Sequence, residues 1–354
     1  MSRLFSPLTL RGTTFRNRAW VAPMCQYTSV DGFPTDWHLV HLGSLARGGA
    51  GLVIAEATAV TPEGRITPAD AGIWSDEQAA AYAPIVDFVH SQGAAAGIQL
   101  AHAGRKASTK RPWDGDGYVE PADGGWQTVG ASPLGFADWP APRELTVPEI
   151  GDVVRAFADA AVRADAAGYD VVELHAAHGY LLHQFLSPLT NQRTDAYGGD
   201  FAGRTRLTVE VVDAVRAVWP EHKPLFVRFS ATDWVEGGWT VEETGELTRI
   251  LKAHGVDLVD VSSGGLVPDA KIEVGPGYQV PFARAVREAS GVPTAAVGLI
   301  NDPKQAEEVL ADGSADAVLL ARALLREPHW PLRAAFELGD SVDWPVQYQR
   351  AAWR

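Results

Sequence analysis

The chain has 354 residues, of which 46% are hydrophobic and 21% are charged, a balance typical of a globular protein with a substantial core. The formal net charge of −14 repels phosphate backbones and anionic lipids, so no nucleic-acid or membrane partner is expected. The single cysteine, Cys25, excludes an internal disulfide and a zinc site built from several cysteines.

Residues 1–7 lack the apolar stretch that a signal peptide contains. Farther along the chain, no apolar run approaches the ~18 residues that a membrane span requires. A cytoplasmic protein is therefore predicted.

Short apolar runs recur along the chain and predict eight buried strands. Several of them follow a glycine that is placed to end a helix. In chain order, the runs cover residues 19–22, 49–54, 97–100, 168–174, 225–228, 255–261, 294–297 and 313–320.

Helices are predicted between these strands. Thr146 with Glu149 and Thr240 with Glu243 have the spacing of capping boxes. Pro303 stands where the first residue of another helix is expected. Strands that alternate with helices in this way favour parallel pairing.

Two architectures fit that alternation, a barrel and a doubly wound sheet. The Gly-x-Gly-x-x-Gly that often follows the first strand of a doubly wound sheet does not occur in residues 22–27. We therefore predict an α/β protein with an eight-stranded parallel (β/α) TIM barrel, in which residues 1–354 form one domain.

Two segments interrupt the regular alternation. Residues 104–147 are rich in Pro, Gly, Asp and Trp, and their length exceeds that of an ordinary connection. They are predicted to form a lid after the third strand. Residues 341–354 form a C-terminal tail whose aromatic side chains, Trp344, Tyr348 and Trp353, are expected to pack on something.

In a barrel of this kind, the active site lies at the C-terminal ends of the strands. Gly298 and Arg322 follow the last two strands, where this fold frequently binds phosphate. A glycine turn and a surface arginine would explain the same two residues. The candidate positions are residues 23–27, 56–58, 99–102, 175–180, 228, 262–265, 298 and 321–322.

His175 and His178 have the spacing of a metal-ligand pair, but a catalytic zinc needs about three protein ligands, and no third ligand is evident at a neighbouring strand end. Two imidazole donors aimed at a substrate oxygen explain the pair better. Tyr180 offers a phenol that can donate a proton. Gln99 could contact the edge of a planar heterocycle. Arg228 needs either a carboxylate partner or an electron-rich ligand, because buried arginines are almost always paired.

These patterns leave three functions open. The first is chemistry on a bound heterocycle, the second is a metal-dependent barrel hydrolase that uses His175 and His178, and the third is a non-catalytic small-molecule binding barrel.

Several motifs together resemble the Old Yellow Enzyme family of flavin reductases over essentially the whole chain. The resemblance is to the bacterial subgroup that includes NADPH dehydrogenases and xenobiotic reductases. The motifs are Ala22-Pro23-Met24-Cys25-Gln26-Tyr27, His175-Ala176-Ala177-His178-Gly179-Tyr180-Leu181, and the runs at residues 56–60, 99–106 and 186–199.

The resemblance implies an N-terminal hairpin and a non-covalent flavin mononucleotide (FMN) at the mouth of the barrel. NADPH or NADH would be the reductant, and the activity would be an ene-reductase acting on α,β-unsaturated carbonyl compounds or nitro compounds. It also implies flavin contacts for Pro23, Met24, Cys25, Ala57, Gln99 and Arg228, and phosphate contacts for Gly298, Ala321 and Arg322.

On the substrate side, the resemblance implies that His175 and His178 hold the substrate oxygen. Tyr27 would complete the pocket, Tyr180 would protonate Cα, and Cys25 would tune the flavin at its redox-active edge. Arg350 in the tail would enter the active site of a neighbouring subunit, in a homodimer or homotetramer.

The chain departs from the family pattern in two places. Ala321 stands where the family usually has glycine, and alanine keeps the N–H but restricts φ. Asp200 begins a run that differs from the usual Ser-x-x-Asn-Arg, although aspartate can still cap the following helix.

Overall fold

The computed structural model describes residues 2–353, and Met1 and Arg354 lie outside the described residues. Its centre is a closed barrel of eight parallel strands, which confirms the predicted fold class. The barrel strands, in chain order, are β3 (Ala19–Val21), β4 (Leu52–Ala59), β5 (Ala95–Ala101), β8 (Val171–Ala176), β9 (Leu225–Ser230), β10 (Leu258–Ser262), β11 (Thr294–Ala296) and β12 (Ala317–Leu320).

Helices surround the barrel. They are α1 (Asp36–Arg47), α2 (Asp76–Ser91), α3 (Val147–Ala166), α4 (Leu181–Leu186), α5 (Phe201–Val218), α6 (Val241–Ala253), α7 (Val280–Ser290), α8 (Pro303–Ala311), α9 (Arg322–Arg326) and α10 (Trp330–Glu337). Both predicted capping boxes are present, at Thr146 and at Thr240. The carboxylate of Asp200 accepts from the N–H of Gly203 at 2.9 Å, so it caps α5 as expected.

The N-terminal hairpin pairs β1 (Leu8–Leu10) with β2 (Thr13–Phe15). Phe15 lies 4.7 Å from Trp20 between ring centroids, and Trp20 stacks on Phe226 at 5.9 Å. These rings fill the N-terminal end of the barrel interior with apolar side chains, while a second core lies between the strands and the helices. Polar side chains therefore lie at the other end of the barrel interior, where the strands have their C-terminal ends.

Residues 104–147 run from the end of β5 to the start of α3. They contain two short 3-10 turns and the two-residue strands β6 (Val129–Gly130) and β7 (Arg143–Glu144), which pair in parallel. This placement puts the predicted lid segment at the C-terminal end of the third barrel strand.

A buried arginine, Arg193, joins this segment to the loop that follows α4. Its Nη1 donates to the carbonyl oxygens of Ala131 at 3.0 Å and Leu145 at 2.7 Å, and its other two nitrogens bind the carboxylate of Asp195. The guanidinium of Arg193 therefore fixes two points of the lid segment, and it also fixes the turn that contains Asp195.

The C-terminal tail packs on its own chain. Tyr348 lies 5.9 Å from the ring of His329 and 5.2 Å from the guanidinium of Arg47, and Trp353 contacts Phe336 and Trp344. The last residue of the predicted tail, Arg354, lies outside the described residues. Between residues 2 and 353, no helix combines the length and apolar character needed to cross a membrane.

Replacing Arg193 by alanine is expected to lower the free energy of unfolding by about 3 kcal/mol, because the change leaves two buried carbonyl oxygens without their donor and removes the ion pair with Asp195. Arg206→Ala is the matched control, since this arginine is exposed and donates to one carbonyl, that of Ala196. Thermal unfolding of both variants at one fixed FMN concentration measures the difference. Equal midpoints for the two variants would contradict the role of Arg193.

Candidate active site

The C-terminal ends of all eight barrel strands contribute to one site. Strand alternation decides which side chains enter the barrel. Val171, Phe226 and Leu258 belong to its apolar interior cluster. The residues two positions farther along, Glu173, Arg228 and Asp260, therefore face the same interior one layer nearer the mouth. These are followed in turn by His175, Ser230 and Ser262.

His175, His178 and Tyr180 meet at the end of β8. The ring centroids of His175 and His178 are 5.1 Å apart, and those of His175 and Tyr180 are 5.0 Å apart. The turn that makes this possible uses positive φ at His178 (59°) and Gly179 (76°). A Cβ on Gly179 would lie 2.4 Å from the carbonyl oxygen of Gly265, so only glycine fits there.

Hydrogen bonds orient both imidazoles. Nδ1 of His175 accepts from the N–H of Ala177 at 3.3 Å, which leaves Nε2 of His175 as the proton-bearing nitrogen. Nε2 of His178 lies 2.8 Å from Oγ of Ser262, and the backbone N–H of His178 donates to Oγ of Ser230 at 2.9 Å. Ser230 and Ser262 thus hold His178 from the two strands that follow β8.

Electrostatics keeps both histidines neutral and Tyr180 protonated. Burial and then the charge of Arg228 lower the pKa of His175 and of His178 well below the usual histidine value. Burial raises the pKa of Tyr180 well above its usual range. The site therefore presents imidazole N–H donors and a phenolic proton over the physiological pH range.

Lys106, which the sequence did not single out as a site residue, supports the same turn. Its Nζ donates to the carbonyl oxygens of His178 and Gly265, both at 2.9 Å, and lies 5.3 Å from the centroid of the Tyr180 ring. Burial, followed by the nearby charge of Arg105, lowers the pKa of Lys106 to about 8.

The loop after β3 brings Cys25 and Tyr27 to the mouth of the barrel. Tyr27 takes a positive φ of 53°. Cys25 packs with Ala57, Ala101 and Tyr180 in one small apolar cluster. Met24 packs against the outer core, and Pro23 joins Met24 to the end of β3.

A buried histidine–glutamate pair fixes this loop. The backbone N–H of Gln26 donates to Oε2 of Glu56 at 2.8 Å, and Oε1 of Glu56 lies 2.9 Å from Nε2 of His38. Because Nδ1 of His38 accepts from the N–H of Thr35 at 2.9 Å, the proton of His38 is on Nε2 and points to Glu56. His38 therefore has a defined structural role, as a helix cap and as the partner of Glu56.

Four polar side chains form a layer inside the barrel below this mouth: Gln99, Glu173, Arg228 and Asp260. Nε2 of Gln99 donates to Oε1 of Glu173 at 2.8 Å, and Nε of Arg228 lies 2.9 Å from Oδ2 of Asp260. Arg228 thus has the carboxylate partner that its buried position required. Burial and then the charge of Asp260 raise the pKa of Glu173, and burial raises the pKa of Asp260 despite the attraction of Arg228.

A cavity of about 150 Å³ opens beside Arg228 and extends along the ends of β11 and β12. Gly298 lines it with a φ of 124°, and a Cβ there would lie 2.9 Å from Nε2 of Gln279. Arg322 lines the cavity as well and makes no ion pair with another described residue. An anion of phosphate size, close to backbone N–H groups and one unpaired guanidinium, fits these features.

Ala321 also lines the cavity, in the place where the family usually has glycine. Its φ of −111° is not left-handed, although its ψ of −95° lies outside the helical and extended regions that most residues adopt. The substitution therefore imposes no left-handed strain on the backbone at this position.

The structure brings together the predicted residues of all eight strand ends and leaves one predicted residue apart from them. Arg350 lies exposed in the 3-10 turn Val346–Ala351, and its own chain gives it no contact with this site. His175 and His178, moreover, belong to no group of three or more His, Cys, Asp or Glu side chains in the described range that could hold a metal ion.

Comparisons with known proteins agree with this arrangement. Residues 3–341 match the family described as "NADH:flavin oxidoreductase / NADH oxidase family". The chain is 49% identical over 354 residues to an NADPH dehydrogenase of Geobacillus thermodenitrificans, covering 99% of this chain and 98% of the relative.

Two solved structures have the same fold. Morphinone reductase in complex with tetrahydroNAD has a TM-score of 0.79 at 30% identity, covering 97% of this chain and 92% of that one. A 2-naphthoyl-CoA reductase complex has a TM-score of 0.85 at 25% identity over 96% of this chain, and the chain spans 52%, about half, of that longer protein.

The barrel and its site define a flavin-dependent barrel oxidoreductase. The chain belongs to the NADH:flavin oxidoreductase / NADH oxidase family, as a member of the Old Yellow Enzyme type. It is an FMN-dependent NAD(P)H oxidoreductase. The cavity beside Arg228 fits the phosphate of FMN, since it is lined by a glycine that a Cβ would crowd and by Arg322, which has no ion-pair partner among the described residues.

The thiol of Cys25 is expected to react slowly and with a shifted pH dependence. Burial, followed by the charges of Asp70 and Glu56, raises its pKa well above the usual value, and only the thiolate is an efficient nucleophile. The alkylation rate of the native holoenzyme should therefore still rise about tenfold per pH unit at pH 9, where the rate of the denatured protein rises much less because about half or more of its thiol is already ionised.

Mass spectrometry after timed iodoacetamide labelling measures both rates, and Cys25 is the only cysteine, so the label needs no assignment. The Cys25→Ser variant gives the background. A native rate that levels below pH 8 would show a low thiol pKa and contradict this prediction.

Proposed function

We propose that the enzyme is an ene-reductase that reduces the C=C bond of α,β-unsaturated carbonyl compounds. The observation that carries this proposal is the group at the end of β8, where two neutral imidazoles lie beside a protonated phenol. Hydride addition to such a substrate places negative charge on its carbonyl oxygen, and preset hydrogen-bond donors stabilise that charge.

We assign the flavin contacts to two sets of residues. Pro23, Met24, Cys25, Ala57, Gln99 and Arg228 would contact the ring, and Gly298, Ala321 and Arg322 would hold the phosphate. Arg228 and Arg322 line one cavity, and the residues that border it come from the ends of β9, β11 and β12. The positive charge of Arg228 would stabilise an electron-rich ring at this place.

The imidazoles would hold the substrate oxygen. Nε2 of His175 bears its proton because Nδ1 accepts from Ala177. Because the hydroxyl of Ser262 donates to Oε1 of Gln279, the proton of His178 is on Nε2, where the substrate oxygen would share it with Oγ of Ser262. Tyr27 would close the pocket from the loop after β3.

Tyr180 would complete the reduction. When bound, FMN supplies the hydride that it has received from NAD(P)H. Tyr180 then donates its phenolic proton to Cα of the substrate and recovers a proton from water. The high pKa of Tyr180 keeps this proton in place until the substrate develops negative charge at Cα.

The two other functions left open by the sequence find less support. A metal-dependent hydrolase needs a third ligand beside His175 and His178, and the described residues provide none. A non-catalytic binding barrel would have no use for a proton donor held next to two neutral imidazoles, and membership of an oxidoreductase family argues against it.

The decisive experiment follows the flavin spectrum in the absence of oxygen. NADPH should bleach the flavin absorption of the holoenzyme, and an enone such as 2-cyclohexenone should restore it with formation of the saturated ketone. Restoration by a nitro compound but by no enone would move the proposal to nitroreduction. Bleaching that neither substrate reverses would contradict the proposed substrate class.

Replacing Tyr180 by phenylalanine is expected to slow flavin reoxidation by the enone by about 10²–10³-fold, while reduction by NADPH keeps its rate. Tyr169→Phe is the matched control, because the hydroxyl of Tyr169 is buried without a partner among the described residues, away from the strand ends. Stopped-flow absorbance separates the two half-reactions. Equal slowing of both half-reactions would assign Tyr180 a structural role instead.

We also propose that the tail acts between subunits of a homodimer or homotetramer, with Arg350 reaching the site of a neighbouring subunit. Its support is the exposed position of Arg350 beside aromatic residues that anchor the tail. The cytoplasmic location and the absence of nucleic-acid and membrane partners stay predictions from charge and composition.

Deleting the residues after Asp343 should raise the substrate KM or alter the assembly, measured by steady-state kinetics and by light scattering. Arg350→Ala tests the side chain alone and should raise KM, whereas the exposed neighbour variant Gln349→Ala should not. Unchanged kinetics and unchanged mass in the truncated enzyme would rule out this role of the tail.

A further inference from the structure

The polar layer inside the barrel holds more negative than positive charge. Glu173 and Asp260 are both fully buried, and Arg228 contacts Asp260 and acts on Glu173 through its charge. If both carboxylates were ionised, one negative charge would lie in the barrel without a partner, which is costly in a low-dielectric interior. Two carboxylates in such a site share a proton instead.

The contacts of the two carboxylates show that they have different roles. Asp260 forms the ion pair with Arg228, since their oxygen and nitrogen atoms are 2.9 Å apart. Glu173 accepts the amide proton of Gln99 through Oε1. Its Oε2 and both oxygens of Asp260 are buried with no hydrogen-bond partner among the described residues, so that feature is common to the two groups. What differs is the neighbour: Asp260 lies against a guanidinium and Glu173 against a neutral amide, which makes Asp260 the natural site of the negative charge and Glu173 the natural site of the proton.

The hydrogen bond to Glu173 also determines the orientation of the Gln99 amide. Because Nε2 of Gln99 donates to the carboxyl group of Glu173, Oε1 of Gln99 faces away from that group. Within the described chain, that oxygen makes no hydrogen bond. A bound heterocycle would then meet a hydrogen-bond acceptor at Gln99, which suits a ring N–H.

We propose that Glu173 is a positioning residue for the flavin, which fixes the orientation of the Gln99 amide and shares one proton with Asp260 to balance Arg228. This inference rests on the proposed contacts of Gln99 and Arg228 with FMN. Glu173 does not touch the flavin itself. It acts through Gln99 on β5 and through the charge that it shares with Asp260 on β10 and Arg228 on β9.

The shared proton couples flavin reduction to proton uptake. Reduction of a flavin bound beside Arg228 would add negative charge near this layer, which would favour the protonated form of Glu173. By linkage, ionisation of Glu173 at high pH must disfavour the reduced ring to the same extent. The midpoint potential of the wild-type flavin should therefore fall more steeply with pH between the pKa of Glu173 in the oxidised enzyme and its higher pKa in the reduced enzyme than outside that range.

Three variants of the holoenzyme separate the hydrogen bond from the charge. Glu173→Gln keeps the shape and an acceptor for Gln99, so its FMN dissociation constant should match the wild type, while the extra fall of the potential at high pH disappears. Glu173→Leu removes the acceptor and should raise the FMN dissociation constant about tenfold. Asp260→Asn removes the counter-charge of Arg228 and should raise the potential at every pH.

The control is Asp257→Asn, a loss of the same charge just before β10 at the opposite end of the barrel, where Asp257 pairs with Arg11. This variant should leave the midpoint potential and the FMN dissociation constant unchanged. The potentials are measured by equilibrating the holoenzyme with reference dyes between pH 6 and pH 10. The dissociation constants come from the fluorescence of FMN released on dilution.

Two outcomes would overturn the inference. One is a Glu173→Gln enzyme whose potential follows the wild type at every pH, and the other is a Glu173→Leu enzyme that binds FMN as tightly as the wild type. Failure of the proposed flavin contacts is distinguishable, because Gln99→Leu and Arg228→Leu would then leave FMN binding unchanged as well. Glu173→Gln is isosteric, so the test does not depend on a variant that disturbs the core.

Discussion

The ion pair of Arg228 and Asp260 is the interaction on which the site depends most. Both side chains enter the barrel because strand alternation sends them there, and neither could stay charged in that interior without the other. Their contact at 2.9 Å places a positive charge just below the mouth of the barrel. Burial, and then that charge, lower the pKa of His175 and of His178, which keeps both imidazoles neutral.

Neutral histidines suit the proposed chemistry better than charged ones. An imidazolium would bind any anion that enters the pocket and could lose its proton to the substrate. A neutral imidazole can only donate a hydrogen bond at its N–H, so it stabilises charge on an oxygen without supplying the proton that Cα needs. The histidines therefore act as hydrogen-bond donors and Tyr180 acts as the proton donor, and this difference follows from burial and from one nearby guanidinium.

The sequence could predict most of the fold because buried parallel strands need continuous apolar runs. β4 shows where this signal ends: the predicted strand stops at residue 54, whereas the observed strand continues to Ala59 through the polar Glu56. Glu56 is tolerated in the strand because His38 and the N–H of Gln26 satisfy its oxygens. The contact between His38 and Glu56 could not be predicted from the sequence, because it depends on how α1 packs on the barrel.

The site residues divide in the same way. Some site residues could be predicted because a polar or titratable side chain lies at or shortly after the end of a predicted strand; these are His175, Tyr180, Gln99 and Arg228. Glu173 and Asp260 act through partners on neighbouring strands, and Lys106 acts through carbonyl oxygens of two loops, so the roles of all three depend on residues distant in sequence. The one available signal was a carboxylate inside an apolar run, as in Val171-Val172-Glu173-Leu174 and Leu258-Val259-Asp260-Val261. A charge in such a run needs a partner across the barrel, so two carboxylates and the one arginine at equivalent positions on neighbouring strands already imply a shared polar layer.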